Sequence, residues 1–137
     1  MYKFTIDRGE WLNGNILESL NSACDNFDSC LYNPTLNKKC CLGILLSPFF
    51  TDEEMEYTRT PRNLLWYVND VDSFISNLSK DAQDMFNNIY NDPETSRLLN
   101  INDSYDFTLE QREEELTKSF AKLDIEVDFV GEYDLVV

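Results

Sequence analysis

Two short stretches of alternating apolar and polar residues, one near each end of the chain, constrain the fold more than anything between them. Near the start, Tyr2, Phe4 and Ile6 alternate with Lys3 and Thr5, and near the end Ile125, Val127 and Phe129 alternate with Asp124, Glu126 and Asp128. A period of two puts one set of side chains on a buried face and the other in water, as in a half-buried strand. The two predicted strands can close a small antiparallel sheet that ties both ends of the chain down.

Between them the periodicity is helical. Ile16, Leu17, Leu20, Ala23 and Cys24 fall on one stripe, followed by a loop over 25–39 rich in Asn and Asp. Cys40 to Phe50 is almost wholly apolar, which suits a buried strand or a buried helix, and a short helix ending near Pro48 is favoured. Thr51-Asp-Glu-Glu54 has the form of a capping box, and Thr60-Pro61 repeats a start signal. Ala82, Met85, Phe86, Ile89 and Tyr90 predict an amphipathic helix over 80–91, and Asp92-Pro93 opens another that stops at Asn102-Asp103-Ser104. Thr108 and Gln111 form the clearest capping box, ahead of a helix through Lys122 with Leu109, Leu116, Phe120 and Leu123 on its core side. After Gly131, Leu135 to Val137 can pair beside the last strand. The expectation is α+β: one mostly helical domain over 1–137, with a small antiparallel sheet joining the N- and C-terminal strands.

A chain of 137 residues with 42% hydrophobic side chains can bury about two-thirds of the surface exposed on unfolding, so it needs neither metal nor disulfide to hold together. No apolar run reaches the length of a membrane span, and Met1 to Glu10 lacks the apolar stretch of a secretory signal. The expected location is therefore the cytoplasm, with reduced thiols at Cys24, Cys30, Cys40 and Cys41. The cysteine spacing does not fit a zinc knuckle, and the chain has no histidine.

The lack of histidine also removes the commonest general base and with it the ordinary serine and cysteine triads. A nucleophile at Cys40 or Cys41 could draw on Lys38 and Lys39, but the apolar string that follows argues for core. Asp124, Glu126 and Asp128 share one predicted strand face, yet neighbouring carboxylates about 6.6 to 6.8 Å apart are too widely spaced for all three to hold one ion. There is no EF-hand loop, glycine-rich phosphate loop or kinase signature. The chain is expected not to be an enzyme and to carry no cofactor or metal.

Charge points to binding. The sequence has 26 acidic and 11 basic side chains, a formal net of -15. Eleven acidic residues against three basic ones lie between Asp103 and Val137, so more than half of the net charge sits in the last quarter of the chain. Such a surface repels nucleic acid and anionic lipid and speeds encounter with basic proteins; alternatively, it only keeps the chain soluble. A carboxylate every second residue also matches a pitch of two base steps of about 3.4 Å along one nucleic-acid strand, which would let the row imitate phosphates. The expected partner-binding face comprises Glu110, Glu113, Glu114, Asp124, Glu126 and Asp128. A competing ligand site, a pocket for an anionic group, would be built from Arg59, Arg62, Trp66 and Arg97.

Trp11, Lys39-Cys40-Cys41-Leu42-Gly43, Asp52-Glu53-Glu54, Thr60-Pro61 and Leu99-Asn100-Ile101-Asn102-Asp103-Ser104 occur in an order that resembles a group of small bacteriophage proteins. Those proteins share a Cys-Cys-Leu-Gly core motif and a late Asn-Asp-Ser turn. The likeness runs in outline over residues 9–120, and the chain departs from the group in its acidity and in the length between the two motifs. The resemblance implies a viral origin, a host-cell setting and a structural role for the motif. In composition the chain is also similar to acidic phage counter-defence inhibitors, among them DNA mimics that block restriction or CRISPR nucleases and sponges that sequester a nucleotide immune signal. The charge favours the first: an inhibitor that occupies a basic host protein, a nuclease or defence effector, without itself binding nucleic acid or membrane. Its oligomeric state is left open.

Overall fold

The alternating stretches do form strands, β1 (Tyr2–Asp7) and β2 (Ile125–Val130), and they pair with each other. The pairing is parallel, with Tyr2 opposite Ile125 through to Asp7 opposite Val130, and this corrects the antiparallel sheet expected from the sequence. Alternation tells which residues face the core but carries no information on strand direction. Direction is set by the path of the intervening chain, and a parallel pair needs only a crossover longer than about a dozen residues. The structure, a computed structural model, describes residues 1–15, 31–33, 36–53, 55, 75–90, 92–104 and 106–133. The helix expected over 16–24, the start at Thr60-Pro61 and the segment Leu135 to Val137 lie outside them.

Among the described residues a 3-10 turn (Arg8–Glu10) and four α-helices accompany the sheet: α1 (Cys41–Leu46), α2 (Lys80–Tyr90), α3 (Glu94–Asp103) and α4 (Leu109–Lys122). The apolar run resolves as helix rather than strand, with Cys41, Leu42, Gly43, Leu45 and Leu46 all buried. The Met55 N–H donates to the Thr51 carbonyl at 3.0 Å, the bond of a first helical turn at the expected Thr51 start. Asp92 opens α3, its carboxylate accepting the Glu94 N–H at 2.8 Å. At α4 the capping box is complete: Thr108 Oγ1 accepts the Gln111 N–H, and the Gln111 side chain accepts the Thr108 N–H. Two of the first turn's unpaired backbone donors are thereby satisfied.

The core lies on the inner face of the sheet, where Ile6, Ile125 and Val127 are buried. Helix α4 packs there through Leu116 and Phe120, whose ring meets Phe4 edge-on at 5.1 Å. Burial of a side chain such as Phe120 stabilises the fold by roughly 2–3 kcal/mol. Helix α2 contributes Ala82, Met85, Phe86 and Ile89 to the same core, with Phe86 against Phe49 at 5.2 Å. Trp11 is fully buried and stacks obliquely on Phe129 and Tyr133.

Candidate functional site

The two sequence strings that stood out, Cys40-Cys41-Leu42-Gly43 and Asn102-Asp103-Ser104, meet in the interior. Asn102, at the end of α3, is fully buried. Its Oδ1 accepts the indole N–H of Trp11 at 2.7 Å and the Cys41 N–H at 3.2 Å, while its Nδ2 donates to the Leu12 carbonyl at 3.0 Å. One amide side chain thus joins the segment after β1, the start of α1 and the end of α3. Two glycines permit the close approach. A Cβ on Gly43 would lie 2.1 Å from the Leu31 carbonyl oxygen, and one on Gly14 would lie 2.1 Å from that of Ser104.

Sequence reasoning missed Arg112. It occupies the core stripe of α4, one turn before Leu116, and is fully buried. Its guanidinium donates to the carbonyls of Ile101, Asn102 (3.1 Å) and Ser104 (2.6 Å) and to Asn15 Oδ1 (2.7 Å). A cation at the carboxyl end of α3 satisfies carbonyls that have no partner within the helix and complements the helix dipole. Burial lowers its pKa. The signal that could have found it is its place four residues before Leu116 in the stripe of period 3.6, although by sequence it counts only among the basic charges.

The expected acidic face divides. Glu110 and Glu114 are exposed on α4, and Glu114 pairs with Lys118 at 3.3 Å, which also reaches Glu115 at 3.6 Å. Glu113 turns elsewhere: it accepts two hydrogen bonds from Arg8 (2.8 and 2.9 Å) and one from the Tyr133 hydroxyl. Burial alone would raise its pKa, but the hydrogen bonds from Arg8 and Tyr133 outweigh that and hold the carboxyl below its usual range. Arg8 also donates to the Gly131 carbonyl at 3.0 Å and lies 6.0 Å from the Phe129 ring. Glu113 therefore clasps the segments following β1 and β2 to α4 and leaves the outward-facing carboxylates.

Glu126 and Asp128 point outward from β2, opposite to Ile125, Val127 and Phe129. Because α4 packs on the inner face, the strand carboxylates and the α4 carboxylates lie on two sides of this pair of layers. Asp124 does not belong to the strand. It sits at the turn from α4 to β2 with φ of 60°, a left-handed conformation that Asp tolerates better than most residues. Its carboxylate stays exposed, 3.9 Å from the Met1 amino group. On the outer face of the sheet Glu126 lies 3.7 Å from the ammonium of Lys3, whose side chain is 72% exposed, so that pair is weak. Among the described residues Asp128 has no ion pair. Its neighbours on that face are Thr5, directly opposite, and Val130.

Burial raises the Cys40 thiol to about 12 and the Cys41 thiol well above its ordinary value, so neither is an activated nucleophile. The lysines beside them are engaged elsewhere: Lys38 Nζ donates to the Gly9 carbonyl, and Lys39 Nζ donates to Ser47 Oγ and pairs with Asp52 at 2.9 Å. Cys24 and Cys30 lie outside the described residues. So do Arg59, Arg62 and Trp66 of the competing ligand site; Arg97 is exposed on α3, 3.7 Å from Glu94. Among the described residues no group of three or more His, Cys, Asp or Glu could hold a metal ion, and no helix is long and apolar enough to cross a membrane. The chain matches no protein family, curated protein or solved structure with which it was compared.

Proposed function

We propose that the protein is a non-enzymatic inhibitor of the phage counter-defence type, acting in the host cytoplasm. It occupies the basic surface of a nucleic-acid-handling or defence protein with carboxylates standing in for phosphates. The single observation that carries this reading is the outer face of β2, where Glu126 and Asp128 project into solvent two residues apart and Asp128 has no basic partner among the described residues. Side chains at that spacing stand about 6.6 to 6.8 Å apart, close to two base steps of about 3.4 Å along the axis of a nucleic-acid strand. Asp124 extends the acidic stretch at its start, while Glu110 and Glu114 face another side and add to the long-range field. A net charge of -15 draws a basic partner in and repels nucleic acid itself.

The test is capture of host-lysate proteins on the immobilised chain, with and without duplex DNA as competitor. Retention should fall as salt rises, because the contact is ionic. DNA should displace the retained protein, since the two compete for one basic surface. The double variant Glu126→Lys, Asp128→Lys should lose it. Retention indifferent to both DNA and charge reversal overturns the proposal.

A further inference from the structure

Among the described residues nothing pairs with the edge of β1 away from β2, and that edge has a pattern that matches itself in reverse. The Tyr2 N–H donates to the Asp124 carbonyl at 3.2 Å, and this fixes the phase of the ladder. In a parallel pair alternate residues bond to the neighbour, so Tyr2, Phe4 and Ile6 direct their backbone groups toward β2. Lys3 and Thr5 direct theirs to the opposite edge, as does the N–H of Asp7, whose carbonyl accepts the first bond of the 3-10 turn Arg8–Glu10. No described backbone group bonds to Lys3 or Thr5 there, and the side chains of all three lie on the exposed outer face.

We propose that this edge pairs with the same edge of a second copy of the chain, antiparallel, about a two-fold axis at Thr5. In that register Thr5 faces Thr5 of the other copy, and Lys3 faces Asp7 twice, once in each direction. Opposite charges and paired threonines are combinations that stabilise antiparallel strands; the threonines fall at a position that exchanges both backbone hydrogen bonds, and the Asp7 N–H can donate to the Lys3 carbonyl of the other copy. On the inner face the half-buried Phe4 comes opposite Ile6. Centring the axis on Lys3 or on Asp7 would instead oppose like charges. Asp7 remains able to receive the lysine, because its bond to the Gly9 N–H, at 2.9 Å, uses only Oδ1. The contact is isologous, as closed dimers require, and converts two strands into a continuous four-stranded sheet. It also places the Glu126 and Asp128 pairs of both copies on one face, three strand spacings or about 14 Å apart. This inference stands whether or not the acidic face binds a basic partner.

Sedimentation of the full chain over a concentration series tests it. The wild type should pass from monomer to dimer. Lys3→Glu and Asp7→Lys should each weaken the dimer roughly tenfold, because each sets like charges against one another twice. An equimolar mixture of the two should recover association as a heterodimer, in which every facing pair is again of opposite charge. Asp7→Lys also removes the bond to Gly9, so its thermal unfolding is measured alongside. If it fails to fold, Thr5→Pro takes its place: it deletes an outward N–H, leaves the ladder to β2 intact, and should abolish the dimer. A chain that sediments as a monomer at every concentration overturns the proposal and leaves the edge to a strand from another protein. A dimer indifferent to Lys3→Glu and Thr5→Pro overturns it as well.

Discussion

Asn102 and Asp128 are short polar side chains on regular elements, and the protein uses them in opposite ways. Asn102 is fully buried and binds groups on two separate segments, one about ninety positions earlier in the chain and the other about sixty. Asp128 is exposed, has no ion pair among the described residues, and sits on a strand whose packing is carried by the other face. A buried polar group acts as a fastener because leaving its partners unmatched away from water is costly. An exposed carboxylate contributes almost nothing to the fold and is free to serve recognition. Interior polarity here organises the molecule, and surface polarity sets what it can meet.

Substitutions of graded effect can break this contrast. Asn102→Ala should be the most damaging, lowering stability by about 3–5 kcal/mol, since the Trp11 and Cys41 donors and the Leu12 carbonyl all lose their partner. Denaturant unfolding measures it, and a loss below about 1 kcal/mol would show that the hub relaxes around water. Gly43→Ala comes next, at about 3 kcal/mol, because the new methyl group meets the Leu31 backbone and can be accommodated only if α1 shifts. Its thermal midpoint should fall while Gly9→Ala, where the nearest atom is 3.4 Å away, stays close to the wild type.

Glu113→Gln occupies the middle ground, with an expected loss of about 1–3 kcal/mol from a half-buried carboxylate that meets Arg8 and Tyr133. The sign with pH is fixed. The folded-state pKa lies below the unfolded one, so this contribution is complete above the ordinary glutamate value of about 4.3 and is lost as pH falls through the folded value. Acid titration of stability should therefore be shallower in the variant, and identical slopes would refute the clasp. Smallest of all should be the effect of Glu126→Lys with Asp128→Lys on stability, within about 0.5 kcal/mol. If that pair instead unfolded the protein, the contrast between fastening interior and free outer face would fail.

Much of the local structure was legible. The Thr108 and Gln111 capping box, the Asp92-Pro93 start and the alternating strands are short-range signals, and each appears where it was read. The acidic face was legible only in part. Charge counts placed carboxylates on α4 and β2, but adjacency along the chain could not reveal that the helix lies against the inner face while Glu126 and Asp128 leave from the outer one. Glu113 was misleading for a related reason: its partners, Arg8 and Tyr133, are remote or irregular in sequence, and nothing local distinguishes it from Glu114. Arg112 reads as one more surface cation until the end of α3 is brought against it.

Taken alone, the sequence determined the identity of these elements, the faces they bury and the sign of the field around the molecule, because periodicity, capping and charge are properties of residues near one another in the chain. Strand direction, the meeting of Trp11, Cys41 and Asn102, and the division of the carboxylates between two sides were decided only by the tertiary structure. Those features depend on which distant segments pack together, and that choice is governed by shape and by the matching of buried donors with acceptors, neither of which has a period.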